Sequence, residues 1–62
     1  MPREIEQMFR VESKPQGLTR IGRTVTTSGI YTDYLSDSGK AFVEIEAAGE
    51  VSWWRMELVK AA

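Results

Sequence analysis

The chain has 62 residues, of which 42% are hydrophobic and 27% are charged, and its formal net charge is −1. It contains neither cysteine nor histidine, which excludes disulfide bonds, thiolate or imidazole zinc ligands, and catalysis by either side chain. The charge lacks the basic excess that usually marks a nucleic-acid-binding protein, and no apolar run approaches the ~20 residues that a transmembrane helix needs.

These totals predict one small globular domain over residues 1–62, with no cofactor and no bound metal. The N-terminal sequence MPREIEQMFR lacks the apolar core of a signal peptide, so we expect a cytoplasmic protein without a membrane partner. The acidic residues are spread along predicted strands and turns. Glutamates two residues apart, such as Glu44 and Glu46, are typical of a solvated strand face. We therefore expect a protein that is not an enzyme.

The N-terminal segment is predicted to become ordered only towards its end. Residues 1–7 are expected to be a loose segment that leads into a strand over about residues 8–12. In that strand Phe9 and Val11 alternate with charged residues, which is the pattern of a half-buried strand. Residues 13–17 have the composition of a loop.

A second strand is predicted over residues 18–27. Gly22 lies inside it and predicts a bulge or a sharp bend, which small barrels need at their corners. A tight turn at Ser28-Gly29 ends the strand. Three of its apolar residues are candidates for the core: Leu18, Ile21 and Val25.

The third strand is predicted over residues 30–35, followed by strong turn composition at residues 36–39. A four-residue loop there would pair Tyr34 with Ala41, bury Tyr34 and turn Asp33 outward. A three-residue loop would shift the pairing by one residue and bury Asp33, which is costly for an unpaired carboxylate. The four-residue loop is therefore favoured.

The stretch from Gly39 to Val59 contains the clearest hairpin. An alternating run is followed by a link that ends at Gly49 and then by an aromatic, β-branched run. A three-residue loop over residues 47–49 places the glycine where a left-handed residue is needed. It gathers four apolar side chains on one face: Val43, Ile45, Val51 and Trp53. A two-residue loop at Ala48-Gly49 would move the last two of these to the opposite face, so the three-residue loop is favoured.

Trp53 and Trp54 are adjacent, so in a strand they point to opposite faces. The favoured pairing buries Trp53 and exposes Trp54. Residues 55–57 are expected to make a tight turn before Leu58 and Val59 complete the sheet. Five short strands joined by short turns predict an all-β fold, either a small five-stranded antiparallel barrel or a strongly twisted sheet.

The segment Gly49-Glu50-Val51-Ser52-Trp53-Trp54-Arg55-Met56-Glu57-Leu58 resembles the SH3-like small β-barrels, in which a short acidic turn precedes a Trp-Trp pair and an Arg-x-Glu-Leu ending. The resemblance covers about residues 39–58. It implies an SH3-like barrel in which the first tryptophan of the pair, Trp53, meets the ligand. The strand pairing instead buries Trp53 and exposes Trp54, and the two interpretations disagree on this point.

The outward tryptophan is the centre of the predicted binding site. Cross-strand neighbours lie about 5 Å apart, so three aromatic rings can form one patch with a charged rim. With Trp53 included, the predicted site consists of Trp54, Trp53, Phe42, Tyr31, Asp33, Glu44 and Arg55. Exposed aromatic patches usually mark contact with a partner, so we predict a protein-interaction module such as an accessory subunit, adaptor or inhibitor. The acidic rim favours a partner with a basic surface.

Three other interpretations stay open. Met8 and Phe9 could fold across the rings and cover them, or the patch could be the contact face of a homo-oligomer. The rings could also stack the bases of a nucleic acid, with Arg20, Arg23 and Arg55 on its phosphates. This nucleic-acid alternative requires an affinity that falls steeply with ionic strength.

Overall fold

The computed structural model describes residues 3–61 and the side chains of residues 4–59. These residues form five strands: β1 (Arg3–Val11), β2 (Leu18–Thr26), β3 (Gly29–Ser36), β4 (Ala41–Ala47) and β5 (Glu50–Ala61). All neighbouring strands are antiparallel, and their order in the sheet is β1-β5-β4-β3-β2. The predicted all-β class with five antiparallel strands is therefore confirmed.

The sheet is strongly twisted and is not closed. β1 and β2 are its two edges, and residues 12–17 connect one edge to the other. The principal extents of the molecule are 41, 29 and 21 Å. Adjacent strands of such a sheet rotate relative to each other with a fixed hand, and this rotation accumulates across the five strands.

β1 takes the place of the loose segment predicted for residues 1–7. It pairs with β5 without interruption from Arg3 to Val11, so its start precedes the predicted strand over residues 8–12. Residues 1 and 2 lie outside the described residues. Residues 3–7 form a strand because they pair with a distant part of the chain, and their local composition does not reveal this pairing.

β5 is one continuous strand of 12 residues, so the tight turn predicted for residues 55–57 is wrong. β4 begins at Ala41, which pairs with Met56. The part of β5 that follows Met56 therefore pairs only with β1, and the two form a two-stranded ribbon beyond the end of β4. Isolated two-stranded ribbons are marginally stable, so the ribbon depends on the rest of the sheet or on a partner.

The bulge predicted at Gly22 is confirmed. The pairing of β2 with β3 shifts between Arg20 and Gly22, and Ile21 is the extra residue. Ile21 and Val25 are 61% and 66% exposed, so their assignment to the core is wrong, while Leu18 is half-buried. Both exposed residues lie on an edge strand, where a neighbour is missing on one side.

The turn between β3 and β4 is a three-residue loop, Asp37-Ser38-Gly39, and the predicted four-residue loop is wrong. The Gly39 N–H donates to the Ser36 carbonyl oxygen at 2.9 Å. Gly39 has φ of 85°, which is the left-handed conformation that the last position of such a loop requires. Tyr34 therefore pairs with Phe42, one residue away from the predicted register.

The turn between β4 and β5 is a two-residue loop, Ala48-Gly49, and the predicted three-residue loop is wrong. Both loop residues are left-handed, with φ of 54° and 77°. This is the conformation of a type I′ turn, whose twist matches that of the flanking strands. The left-handed conformation costs an alanine about 1–2 kcal/mol. In return, Glu46 pairs with Val51, so the two glutamates of the predicted register do not face each other.

The two register shifts cancel between β3 and β5, so only β4 has its side chains on the opposite faces from those predicted. Each loop is one residue shorter than predicted, so Tyr34 and Trp53 still share one face of the sheet. Phe42 joins that face, while Val43 and Ile45 lie on the opposite one. The criterion of placing the most apolar side chains on one face could not decide this register, because both faces of β4 carry large apolar side chains.

Candidate functional site

The side chains on the two faces of the sheet are buried to different extents. We call the face that carries Trp53 the inner face and the face that carries Trp54 the outer face. The inner face holds three of the four most buried side chains, Thr32, Phe42 and Trp53, at 7%, 8% and 9% exposure. Trp54 is half-buried on the outer face. The prediction that the two tryptophans point in opposite directions is confirmed.

Trp53 is covered by a neighbouring ring and by the connection between the edge strands. The ring centroids of Tyr34 and Trp53 are 5.2 Å apart, with the ring planes at 45°. The Lys14 Nζ lies 5.7 Å from the centroid of the Trp53 ring, within range of a cation–π attraction. Lys14 and its neighbours in the connection also line an open hollow of about 440 Å³ beside Tyr34. Trp53 therefore offers little free surface to a ligand.

Arg55 is held among other inner-face groups. The strand pairing sets it between Phe42 of β4 and Phe9 of β1. Its guanidinium carbon lies 5.1 Å from the centroid of the Phe9 ring, and the guanidinium forms an ion pair with Glu57. This rim residue of the predicted patch is thus engaged within the chain.

The predicted aromatic patch is divided between the two faces. Trp54, Tyr31 and Asp33 lie on the outer face, where they were expected. Met8 and Phe9 do not fold across the rings, because both lie in β1 beside β5. The inversion of β4 places Phe42 and Glu44 on the inner face. Trp53 and Arg55 lie on the same face through the alternation of β5.

The groups named for nucleic-acid binding are also separated. Arg20, Arg23 and Arg55 all lie on the inner face, in register with inner-face residues of the neighbouring strands. Tyr31 and Trp54, the two predicted stacking rings that keep accessible surface, lie on the outer face. The structure does not bring these cations and these rings together.

Trp54 is fixed on the outer face by three neighbours. Its indole Nε1–H donates to the Ser52 Oγ at 2.9 Å. The guanidinium carbon of Arg10 lies 5.9 Å from the ring centroid. Val43, the most buried apolar residue of the described chain at 3% exposure, is its cross-strand neighbour on β4. The ring is therefore a positioned group with a free side.

Beside Trp54, a row of apolar side chains crosses four strands of the outer face. The pairing sets Leu35 beside Ala41, Ala41 beside Met56, and Met56 beside Met8. Leu58, two residues beyond Met56, extends the row onto the ribbon. Leu35, Met8 and Leu58 are 42%, 41% and 60% exposed. We call these five residues the outer apolar strip.

The small side chain of Ala41 leaves a hollow in the strip. An open hollow of about 240 Å³ lies between Ala41, Met56, Leu58, Glu6 and Glu57, at the step where β4 begins and β5 continues. Typical small-molecule sites have about 300–1,000 Å³, so this hollow is small for a free ligand. Its size suits one side chain of a partner protein.

The outer face is acidic around the strip. Among the side chains of residues 4–59, it carries four carboxylates. Those of Glu6 and Asp33 lie next to members of the strip, that of Glu4 lies two residues further along β1, and that of Glu50 lies at the other end of β5. The outer face carries one guanidinium, that of Arg10, which lies against Trp54. The apolar strip therefore has a border that attracts positive charge.

The chain exposes more surface than a compact monomer of its mass. Its accessible surface is 4907 Å², whereas a folded monomer of 7.0 kDa exposes about 4,000 Å². Its radius of gyration is 12.7 Å, against about 10.6 Å for 62 compact residues. The excess of about 900 Å² is close to the ~800 Å² that each partner contributes to a standard protein interface.

Sequence reasoning missed the outer apolar strip. Leu35, Ala41 and Met56 belong to three strands, and only the correct β3–β4 and β4–β5 registers bring them into one row. Met8 adds to the row only when β1 is paired with β5. The available signal was the two-residue alternative for the Ala48-Gly49 loop, which already gives the correct pairing of Ala41 with Met56.

Within residues 3–61, no group of three or more acidic side chains is arranged to hold a metal ion. That same part of the chain has no helix long and apolar enough to cross a membrane. Comparison of the chain with protein families, with curated proteins and with solved structures finds no match. The interpretation of its surface therefore depends on its own residues.

Proposed function

We propose that this chain is a small, non-enzymatic protein-interaction module that binds a partner protein through the outer apolar strip. The observation that carries the proposal is the strip itself, a row of neighbouring apolar side chains across four strands. Its three largest exposed members, Met8, Leu35 and Leu58, keep 41–60% of their surface accessible. Contiguous apolar surface of this kind usually marks an interaction site on a soluble protein.

The chemistry of the strip defines the partner. Met8 and Met56 are flexible and polarizable, and methionine-rich surfaces adapt to partners of different shape. The hollow at Ala41 has room for one apolar side chain. Trp54, two residues before Met56 on the same face, supplies a large, positioned ring. The acidic border favours a partner whose apolar anchor is surrounded by lysine or arginine, and it raises the association rate.

The proposed scaffold is a partly open SH3-like barrel. The meander from β2 to β5, the position of β1 beside β5 and the bulge at Gly22 support this assignment. In the SH3-like family the first tryptophan of the pair meets the ligand. Here that residue is Trp53, which is packed beside Tyr34 and Lys14. We therefore assign the contact to the outer face, with Trp54 as its aromatic member.

The test compares two charge insertions at equally exposed apolar positions. Leu58→Glu changes the outer apolar strip at a residue that is 60% exposed, and Val25→Glu changes the inner face at one that is 66% exposed. Each chain is immobilised and used to capture proteins from cells that produce it, and a retained protein is purified and titrated against each chain. We expect Leu58→Glu to weaken binding by about 30- to 1,000-fold and Val25→Glu to leave it within about twofold.

Equal binding by the two variants would contradict the proposal, because the contact would then avoid the strip. Circular dichroism of both variants checks that each remains folded. If nucleic acid is retained instead, with an affinity that falls steeply with salt and does not respond to Leu58→Glu, the nucleic-acid alternative replaces the proposal.

A further inference from the structure

β1 presents a long, regular free edge. It pairs with β5 on one side over nine residues without a bulge, and no strand of residues 3–61 pairs with its other side. Its sequence, REIEQMFRV, contains no proline. Ile5, Met8 and Phe9 are 38%, 41% and 38% exposed along it. Such an edge is a template for pairing with another strand unless charges or bulges block it.

The opposite edge of the sheet is protected. In β2 the ladder is interrupted at Ile21 and Gly22, and a bulge of this kind twists an edge strand away from new partners. Arg20 and Arg23 add two like charges to β2, with no acidic residue in the strand. β2 is therefore a poor partner for itself.

Hydrogen bonding limits how β1 can pair with a second β1. In an antiparallel strand, alternate residues direct their N–H and C=O groups to the same side. One set of β1 residues bonds to β5, and the other set points away from the sheet. Two antiparallel β1 strands can therefore hydrogen-bond only if residues of this second set in one copy face residues of the same set in the other copy. The two-fold axis must then pass through a residue, and not between two residues.

One such register pairs opposite charges without opposing like charges. An axis at Gln7 sets Glu4 opposite Arg10 of the second copy and Ile5 opposite Phe9, and symmetry repeats each pair. An axis one residue later, at Met8, sets Glu6 opposite Arg10 of the second copy, but it also sets Glu4 opposite Glu12 and Phe9 opposite Gln7. An axis one residue earlier, at Glu6, sets Glu4 opposite Met8. The Gln7 axis alone joins both the charges and the exposed apolar residues.

We infer that two copies of this chain pair through β1 in an antiparallel, two-fold dimer whose axis passes through Gln7. Glu4 and Arg10 form two cross-strand ion pairs on the outer face, and Ile5 and Phe9 form two apolar pairs on the inner face. The pairing is isologous and therefore closed, so it ends at two copies. It gives one continuous sheet of ten strands.

The dimer has a consequence for the outer face. A two-fold axis perpendicular to the sheet keeps the outer faces of both copies on the same side. Met8 of each copy then lies beside Glu6 of the other, so the two apolar strips approach each other across the seam. A dimeric or repeated partner could be held at both strips at once, with the gain in avidity that this brings. The pairing itself does not depend on the proposed partner.

The test reverses the charges singly and together. Sedimentation equilibrium over a range of concentrations gives the dimer dissociation constant of the wild-type chain and its variants. Glu4→Arg or Arg10→Glu turns both ion pairs into like-charge pairs, and we expect either change to raise that constant about 10- to 100-fold. The double variant E4R/R10E restores both pairs with exchanged signs and returns the constant to within about threefold of wild type. An equal mixture of the two single variants forms a mixed dimer.

The matched control is Glu46→Arg, which makes the same change in net charge on β4, away from the β1 edge. We expect it to leave the dissociation constant unchanged. A monomer at every concentration overturns the inference. So does a dimer that Glu4→Arg and Arg10→Glu do not weaken, or one that E4R/R10E does not restore.

A cross-link tests the position of the axis independently. The chain has no cysteine, so Gln7→Cys introduces a single thiol that faces its own copy across the axis. Directly opposed side chains have Cβ atoms about 4.5–5.5 Å apart, near disulfide range. We expect mild oxidation to join Gln7→Cys into a covalent dimer and to leave Glu46→Cys uncoupled. The proposed function fails on Leu58→Glu and this inference fails on the β1 variants, so the two failures are distinguishable.

Discussion

Trp53 and Trp54 are neighbours in β5, and the fold uses them in opposite ways. Trp53 is 9% exposed, with its ring against Tyr34 and beneath the Lys14 ammonium group. Trp54 is half-buried on the other face, and its N–H is bonded to Ser52. The alternation of the strand sends identical side chains into different surroundings. The partner strands, and not the residue type, decide which tryptophan belongs to the core.

The two faces also differ in how their exposed apolar side chains are arranged. The connection over residues 12–17 covers the inner face at Trp53, and the exposed apolar residues of that face, Ile5, Phe9, Val25 and Val51, lie around it. On the outer face the partly exposed apolar side chains form one row across neighbouring strands. A sheet must bury its apolar surface against a second layer. A six-residue connection supplies little of that layer, and a chain of this size is marginally stable alone. A partner on the outer apolar strip would supply the missing layer.

The largest expected effect is the loss of stability on removing the Trp53 ring, compared with removing the Trp54 ring. Trp53→Ala removes the central ring of the inner face and should cost about 3–5 kcal/mol of unfolding free energy. A domain of 62 residues has only about 3–9 kcal/mol in total, so this variant should lose a third or more of its stability. Trp54→Ala removes a half-buried ring and should cost about 1–2 kcal/mol. Urea denaturation followed by circular dichroism measures both.

Trp53→Phe is the matched control, because it keeps an aromatic ring beside Tyr34. It should lie between wild type and Trp53→Ala in stability. Equal losses from Trp53→Ala and Trp54→Ala would show that both faces are core, and would remove Trp54 from the proposed binding surface.

A smaller effect is expected from removing the hydrogen bond that holds Trp54 on the outer face. Ser52→Ala removes the acceptor of the Trp54 indole N–H and should cost about 0.5–1.5 kcal/mol, the usual net value of one hydrogen bond. The indole N–H resonance of Trp54 should shift in the NMR spectrum, while that of Trp53 stays in place. Ser52→Thr keeps a hydroxyl group and should retain the wild-type resonance. If the Trp54 resonance is unchanged in Ser52→Ala, the ring is not held by this bond.

The parts of the fold that could be predicted are those set by local chemistry. Period-two alternation predicted strands, Gly22 predicted the bulge in β2, and the adjacency of Trp53 and Trp54 predicted opposite faces. These inferences depend only on neighbouring residues. They survive errors in register, because a register shift moves whole strands and leaves their internal alternation unchanged.

The parts that failed depend on one-residue differences in loop length. A three-residue loop after β3 is disfavoured on sequence grounds because it would bury Asp33. Asp33 nevertheless stays on the outer face, half-buried, because β4 is inverted instead of β3. The same inversion separates Phe42 from Tyr31 and Trp54 and so divides the predicted site. The first half of β1, residues 3–7, was missed because these residues are ordered by pairing with β5, which lies at the far end of the sequence.

The smallest predicted effect tests the turn that sets this inversion. Ala48 is left-handed, with φ of 54°, and asparagine adopts that conformation more readily than alanine. Ala48→Asn should therefore raise the free energy of unfolding by about 0.5–1 kcal/mol. Ala47→Asn changes the preceding residue, which lies in β4, and should give no gain. In a three-residue loop, residue 48 would be right-handed and asparagine there would be neutral, so the difference between the two variants in urea denaturation reports the register directly. A gain at residue 48 alone fixes β4 with Phe42 on the inner face and Ala41 beside Met56, which is the pairing on which the outer apolar strip depends.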